Sequence, residues 1–192
     1  MAEELLRAWL FRHALSPPWT SSSPRFARTK RQVTASAWTS SRARSEKQKR
    51  YLGLTQALPL VQTEAFVRDN VRSDAIQFVA LEGERVVGWA DIFPHWAQAL
   101  AHCAGLGMGV HPDYRRRGIG RQPLQACIAK AWQKGVTRIE LEARADNAHA
   151  IALYRRLGFE HEAVKRHGMR FDGTYFDTVL MRLLAPTLRQ TS

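Results

Sequence analysis

Apolar and polar positions begin to follow regular patterns after residue 51, and each pattern predicts one element. Residues 63–71 carry Ala65, Phe66 and Val67 among charged neighbours, which predicts a short helix. Residues 75–81 are an apolar run that reads as a strand, and Glu82, Gly83 and Glu84 make a tight turn. Residues 85–93 return as a second strand, which Pro94 ends because it has no amide proton for the ladder. A third strand covers about 101–110, followed by a turn at 111–114 and a helix to about Lys134, stopped by Gly135. Residues 136–143 alternate as a strand, and 147–157 form a helix capped by Gly158. Residues 159–167 and 174–184 are the last two strands.

The order is helix, three strands, helix, strand, helix, two strands, with no internal repeat. A strand-helix-strand link around 118–134 implies a parallel pair, and the early hairpin implies antiparallel neighbours. Together they predict a mixed α/β sheet flanked by helices in one domain. The expected boundaries are a basic extension over 1–50, the domain over 51–186 and a short tail over 187–192.

Charge changes the picture only at the start. The 192 residues carry a net +12. Residues 1–50 hold eleven basic side chains and three acidic ones, so two-thirds of the excess lies in the first quarter. Residues 16–24 have linker composition, and 25–50 are rich in Ser, Arg and Lys with few aliphatics. Leu5, Leu6, Trp9, Leu10 and His13 fall at helical spacing. An Arg- and Ser-rich start is also the make-up of a transit peptide, but Glu3 and Glu4 oppose it. A loosely packed extension is the preferred reading, and it keeps an RNA or ribosome contact open.

Composition excludes several classes. No apolar run approaches the ~20 residues of a membrane span. Cys103 and Cys127 sit among apolar neighbours and read as buried thiols in a reducing, cytoplasmic compartment. The histidines lack ligand spacing, so no metal is expected.

The chemistry-bearing stretch is residues 110–121, Val-His-Pro-Asp-Tyr-Arg-Arg-Arg-Gly-Ile-Gly-Arg. A strand ends there and a turn opens a helix. Gly118 and Gly120 let the backbone fold tightly and let an anion approach. Amides at a helix start point at one place, and the helix dipole favours negative charge there. Arg115, Arg116, Arg117 and Arg121 add positive charge. The pattern is a pyrophosphate cradle. A Rossmann fingerprint fails, because its third glycine position is Pro123. Neither a P-loop nor a nucleophile elbow is present.

The R-x-x-G-x-G string resembles the acetyl-CoA signature of the GNAT superfamily of N-acetyltransferases. A second segment, residues 147–160, is similar to that family's N-x-x-A-x-x-[LF]-Y-x-x-x-G-F pattern at Asn147, Ala150, Leu153, Tyr154, Gly158 and Phe159. The resemblance spans about 51–184. It implies a GNAT-like fold and acetyl transfer from acetyl-CoA to a primary amine of a small molecule or amino acid, by direct attack in a ternary complex. The tail from His167 is similar to phosphinothricin-type and to some protein-acetylating members. The resemblance also implies site roles. Backbone at Met108, Gly109 and Val110 meets the thioester and pantetheine. Residues 115–121, Ile119 included, meet the diphosphate. Asn147 bonds the pantetheine arm, and Tyr154 touches the cofactor and acts as general acid.

The base stays open. The family often places a carboxylate on the third strand, and here residues 101–110 have none. His102 could serve. Glu140 and Glu142 share a strand face, for which a solvated role is the default, and a water-relayed base is an equal alternative. Trp89, Trp96, Phe93, Tyr175 and Phe176 could line an apolar acceptor pocket or belong to the core. Pro123 falls early in a helix, where it is tolerated if the first turn begins near Gly120. Residues 25–50 should supply the family's first strand and helix but barely do. The competing function is a non-catalytic acyl-CoA-binding module, or an acetyltransferase docked on protein or ribosome through residues 1–50. A homodimer is left open.

Overall fold

The computed structural model describes residues 25–28, 51, 59–83 and 85–188. Readings of 1–24, 29–50, 52–58, Glu84 and 189–192 therefore lie outside the described residues. Among the described residues, seven strands form one mixed sheet in the order β1-β2-β3-β4-β5-β7-β6. They are β1 (Arg25–Arg28), β2 (Ile76–Glu82), β3 (Arg85–Pro94), β4 (Cys103–Val110), β5 (Arg138–Arg144), β6 (Glu160–Phe171) and β7 (Thr174–Leu184). Of these strands, β4 and β5 pair in parallel and the other neighbours are antiparallel.

Among the described residues, three α-helices lie between the strands: α1 (Leu60–Arg72), α2 (Arg121–Gln133) and α3 (Ala148–Arg156). α2 and α3 cover one face of the sheet. There Leu124, Cys127 and Ile128 of α2 pack with Ala90, Ile92 and Ala104, and Leu157 packs with Leu141 and Met181. On the other face Val67 of α1 packs on Val79, Val86 and Trp89. Lys130 ties α2 to the start of β2, its ammonium donating to the carbonyls of Asp74 (2.9 Å) and Ala75 (2.8 Å).

Local chemistry explains the boundaries. Gly135, at φ +83°, ends the α2 segment. Asp172 and Gly173, both at positive φ, make the two-residue turn between β6 and β7. Pro94 is the last residue of β3. The difference from expectation is at the start. β1 is a full four-residue strand, with Arg25 opposite Leu81 and Arg28 opposite Phe78. Its sequence, Arg-Phe-Ala-Arg, has too few apolar positions to announce a strand. The unpaired edge of β2 recruits it, because edge amides and carbonyls need partners.

Candidate active site

β4 and β5 pair over half their length only. Cys103, Ala104 and Gly105 are opposite Arg138, Ile139 and Glu140, and the pairing stops there. β4 continues with β3 as far as Val110, opposite Gly88. β5 continues with β7 as far as Arg144, opposite Thr178. Each strand keeps its outer neighbour and leaves the inner one, so a wedge opens between 106–110 and 141–144. The inner edge of β4 there has no ladder partner in β5. An amide-rich chain can pair with such an edge.

β4 runs from the wedge into the arginine loop. Tyr114 donates a hydrogen bond to Glu82, and Arg117 lies over its ring at 5.3 Å. Ile119 is buried with Val87 and Tyr114 and anchors the loop. Arg115, Arg116, Arg117 and Arg121 are exposed around it. Gly120 is the N-cap of α2, and no side chain caps that helix start. Pro123 is the third helical residue, so its missing N–H is one that would find no intrahelical acceptor in any case.

The two glycines have different reasons. Gly118 sits at φ +75°, and a Cβ there would meet nothing within 4 Å. It serves backbone freedom and an open surface, which fits a bound anion. A Cβ on Gly120 would lie 2.6 Å from Met108 Cε and 3.1 Å from Val110 Cγ2. That glycine is explained by packing of α2 against β4.

Tyr154 is set by the way α3 ends. The N–H of Phe159 donates to the carbonyl of Tyr154 (3.0 Å) and that of Gly158 to Arg155 (3.0 Å), with Gly158 at φ +90°. This is a Schellman ending, with Phe159 packed edge-on against Tyr154 at 5.9 Å. The Y-x-x-x-G-F spacing thus fixes the tyrosine ring. Tyr154 is 7% exposed and lies in one cluster with Leu141 and Ala143 of β5, against which Met108 of β4 packs. Burial pushes its phenol up to about 12. Asn147 caps α3, its side-chain oxygen accepting from the N–H of Ala150 at 3.3 Å.

The candidate bases separate clearly. His102 precedes β4 at the closed end, six residues from Met108, or ~20 Å along a strand. It is removed from the wedge. Glu140 lies on the paired half and is held by Arg138 at 2.5 Å. Glu142 is in the open half, accepts from Thr178 Oγ1 at 2.5 Å, and lies 3.4 Å from Lys165.

The aromatic side chains do not converge on one pocket. Trp89 is buried over Gly109, and Phe93 meets Phe66 at a tilt, with ring centroids 6.1 Å apart. Trp96 is 96% exposed on the loop after β3, and Tyr175 contacts His167 in the final hairpin. Phe176 covers the buried Arg144 guanidinium at 3.4 Å, and Asp146 pairs with that guanidinium at 2.6 Å.

One feature of the open strand escaped the sequence reading. Trp89, Asp91 and Phe93 of β3 are opposite Gly109, Gly107 and Gly105 of β4. Asp91 is buried, and its carboxylate overlies Gly107. The signal was present as W-x-D-x-F beside G-x-G-x-G, but it means something only once the strands are paired.

A family model described as "Acetyltransferase (GNAT) family" matches residues 38–159, well over half the chain. The chain belongs to the GNAT acetyltransferase family. It is 40% identical over 78 residues to the [ribosomal protein bS18]-alanine N-acetyltransferases of Salmonella typhimurium and Escherichia coli. That stretch is 41% of this chain and 53% of each relative, so the chain spans about half the length of the curated relatives it matches. The fold is shared with the ribosomal-protein-alanine N-acetyltransferase of Brucella melitensis (TM-score 0.74, 23% identity, 84% of this chain and 98% of that one). It is shared also with a GNAT superfamily phosphinothricin acetyltransferase of Sinorhizobium meliloti, solved with acetyl-CoA (TM-score 0.76, 18% identity, 85% and 89%). Among the described residues, no helix is long and apolar enough to cross a membrane.

Proposed function

We propose that the chain is an acetyl-CoA-dependent N-acetyltransferase acting on the primary amine of a small molecule or amino acid. The observation that carries this reading is the half-open β4–β5 pair running directly into the uncapped, arginine-flanked start of α2. Backbone groups of Met108, Gly109 and Val110 hold the pantetheine arm and thioester. Residues 115–121 hold the diphosphate through amides, dipole and guanidinium charge. The NH2 donors of Asn147 are the groups for the pantetheine arm, since its oxygen is taken by the cap. Residues 51–186 form the catalytic unit, and the basic extension 1–50 contributes β1 to its sheet.

Acetyl-CoA supplies an acyl carbon already activated by its thioester. Glu142, in the open half of β5, takes the proton that the acceptor ammonium must lose before its lone pair can attack. Tyr154 acts from the opposite sheet face. As the C–N bond forms and the C–S bond breaks, the electron pair goes to sulfur. A thiol has a pKa of ~8.5, so a phenol at about 12 does not surrender its proton outright. Tyr154 instead donates a hydrogen bond to the developing thiolate, and solvent completes the protonation.

A second reading takes a ribosomal-protein amine as acceptor. The 40% identity to the bS18-alanine N-acetyltransferases and the basic first quarter favour it. Free-thiol release measured across a panel of amines and amino acids, and with purified bS18, tests both. Turnover with the free amines supports the first reading, and turnover with bS18 alone supports the second. Tight acetyl-CoA binding without turnover on any acceptor would leave a binding module.

A further inference from the structure

We infer that Tyr114, bonded to Glu82, is the positioning residue that sets the arginine loop, and through it makes the protein select nucleotide-bearing acyl donors over bare pantetheine thioesters. This role rests on the diphosphate reading of residues 115–121 and adds what holds that site in shape. The loop needs a brace. Arg116 sits at φ +61° and Gly118 at φ +75°, so two of its backbone positions are left-handed, and Arg116 bears the strain that a Cβ brings there. Arg115, Arg116 and Arg117 are all exposed, and like charges side by side repel. The loop is moored at its two ends. Tyr114 before it and Ile119 after it share one buried cluster with Ala80 and Val87.

Tyr114 is surrounded by charged groups. Its hydroxyl donates to the Glu82 carboxylate at the end of β2. The Arg117 guanidinium lies 5.3 Å from its ring centroid and that of Arg85, at the start of β3, 5.8 Å. The His111 ring stands edge-on to it at 5.5 Å, and His111 Nε2 is 2.9 Å from the Arg85 guanidinium. A phenol bonded to a carboxylate is polarised toward the anion, which enriches its ring and strengthens its hold on a cation. Arg85 is also held by His111, whereas Arg117 belongs to the loop itself. The Arg117 contact therefore folds the loop back onto the residue that begins it. Without the ring, the left-handed turn loses its brace and the guanidiniums lose their common geometry. The wedge is built separately: Leu106 and Met108 of β4 pack on the main core rather than with Tyr114. A change at Tyr114 thus reaches the diphosphate end of a bound donor and spares the pantetheine end.

The test reads binding to the full chain and needs no turnover. Calorimetry gives Kd for acetyl-CoA, and ligand-observed NMR gives Kd for S-acetylpantetheine, the same thioester arm without diphosphate and nucleotide. Tyr114→Leu should weaken acetyl-CoA by about tenfold, the scale of a well-placed cation–π contact, and leave S-acetylpantetheine unchanged. Tyr114→Phe and Glu82→Ala keep the ring and lose the hydroxyl bond, so each should cost about threefold. The two combined should cost no more than either, because both remove the same bond. Glu82 is exposed and Tyr114→Phe preserves the ring packing, so this pair decides the matter even where Tyr114→Leu fails to fold. Equal weakening of both ligands marks a merely structural role and overturns the proposal. Acetyl-CoA affinity that survives in all the variants overturns it too, and leaves the diphosphate reading standing. A wild type that binds acetyl-CoA no more tightly than S-acetylpantetheine overturns that reading and the proposal with it. Ring-dependent selectivity without acetyl transfer supports the proposal and would sink the acetyl-transfer reading alone.

Discussion

The two faces of β4 are built from opposite materials. On one, Ala104, Leu106 and Met108 pack against the main core, and Val110 against the small Tyr114 and Ile119 cluster. On the other, Gly105, Gly107 and Gly109 leave a bare floor under Trp89 and Asp91. The first face holds the strand in place and carries Tyr154 close by. The second gives up packing on β4 itself, so that neighbouring strands can present polar groups over it. One eight-residue strand thus packs the core with Ala104, Leu106 and Met108 and leaves Gly105, Gly107 and Gly109 bare.

The largest expected effect separates the chemistry of the first face from its packing. Tyr154→Phe keeps the ring beside Phe159 but removes the donor. kcat should fall by roughly 10²-fold while the Kd for acetyl-CoA holds, read by steady-state kinetics and calorimetry. An unchanged kcat would reduce Tyr154 to a packing residue. The same variant has a pH signature. The wild-type phenol moves from 10 unfolded to about 12 folded, so its stabilising contribution is complete below pH 10 and is lost as pH rises toward 12. Denaturant melts of Tyr154→Phe should show a smaller loss over that window than the wild type.

Next comes the structural half of the comparison. Ile128 is fully buried beneath the aliphatic face. Ile128→Ala should cost about 2–5 kcal/mol in denaturant unfolding. A loss below 1 kcal/mol would mean that this face tolerates a cavity and is not the rigid side.

A more moderate effect is expected at the loop that continues β4. Gly118→Val forces a β-branched residue to φ +75° and puts bulk into the anion surface. Acetyl-CoA binding should weaken by about tenfold with the fold retained, since left-handed strain is of order 1–2 kcal/mol. Unchanged affinity in calorimetry would remove the diphosphate assignment.

The smallest effect sharpens the floor itself. A Cβ on Gly105 would meet nothing within 4 Å. Gly105→Ala should shift stability by no more than ~0.5 kcal/mol and leave acceptor KM unchanged. A larger loss would show that Gly105 is not open and that the whole glycine face is packed.

Legibility followed the range of the interaction. The strand and helix order was readable because each element repeats its own period within a few residues. Tyr154, Gly158 and Phe159 were readable together through the resemblance to the family pattern, and the Schellman ending gives that spacing a local reason: one helix end, one αL glycine, one ring pair. β1 was not, because Arg-Phe-Ala-Arg becomes a strand only beside the free edge of β2. His102 read as a candidate base and Glu142 as a solvated carboxylate until the pairing put one at the closed end of the wedge and the other in its open half. Gly120 read as an anion glycine, but Met108 and Val110 give it a packing reason.

By itself, then, the sequence determined the backbone demands: where φ must be positive, where a helix starts without a cap, where a strand alternates. These are short-range steric and hydrogen-bonding requirements that any fold must honour. Only the tertiary structure decided which residues share a surface. That choice depends on strand register, and a shift of one residue turns every side chain to the opposite face. Asp91 over Gly107, with Glu142 across the wedge, is a product of register. Sixteen residues separate Asp91 from its glycine, and nothing within either segment alone announces the other.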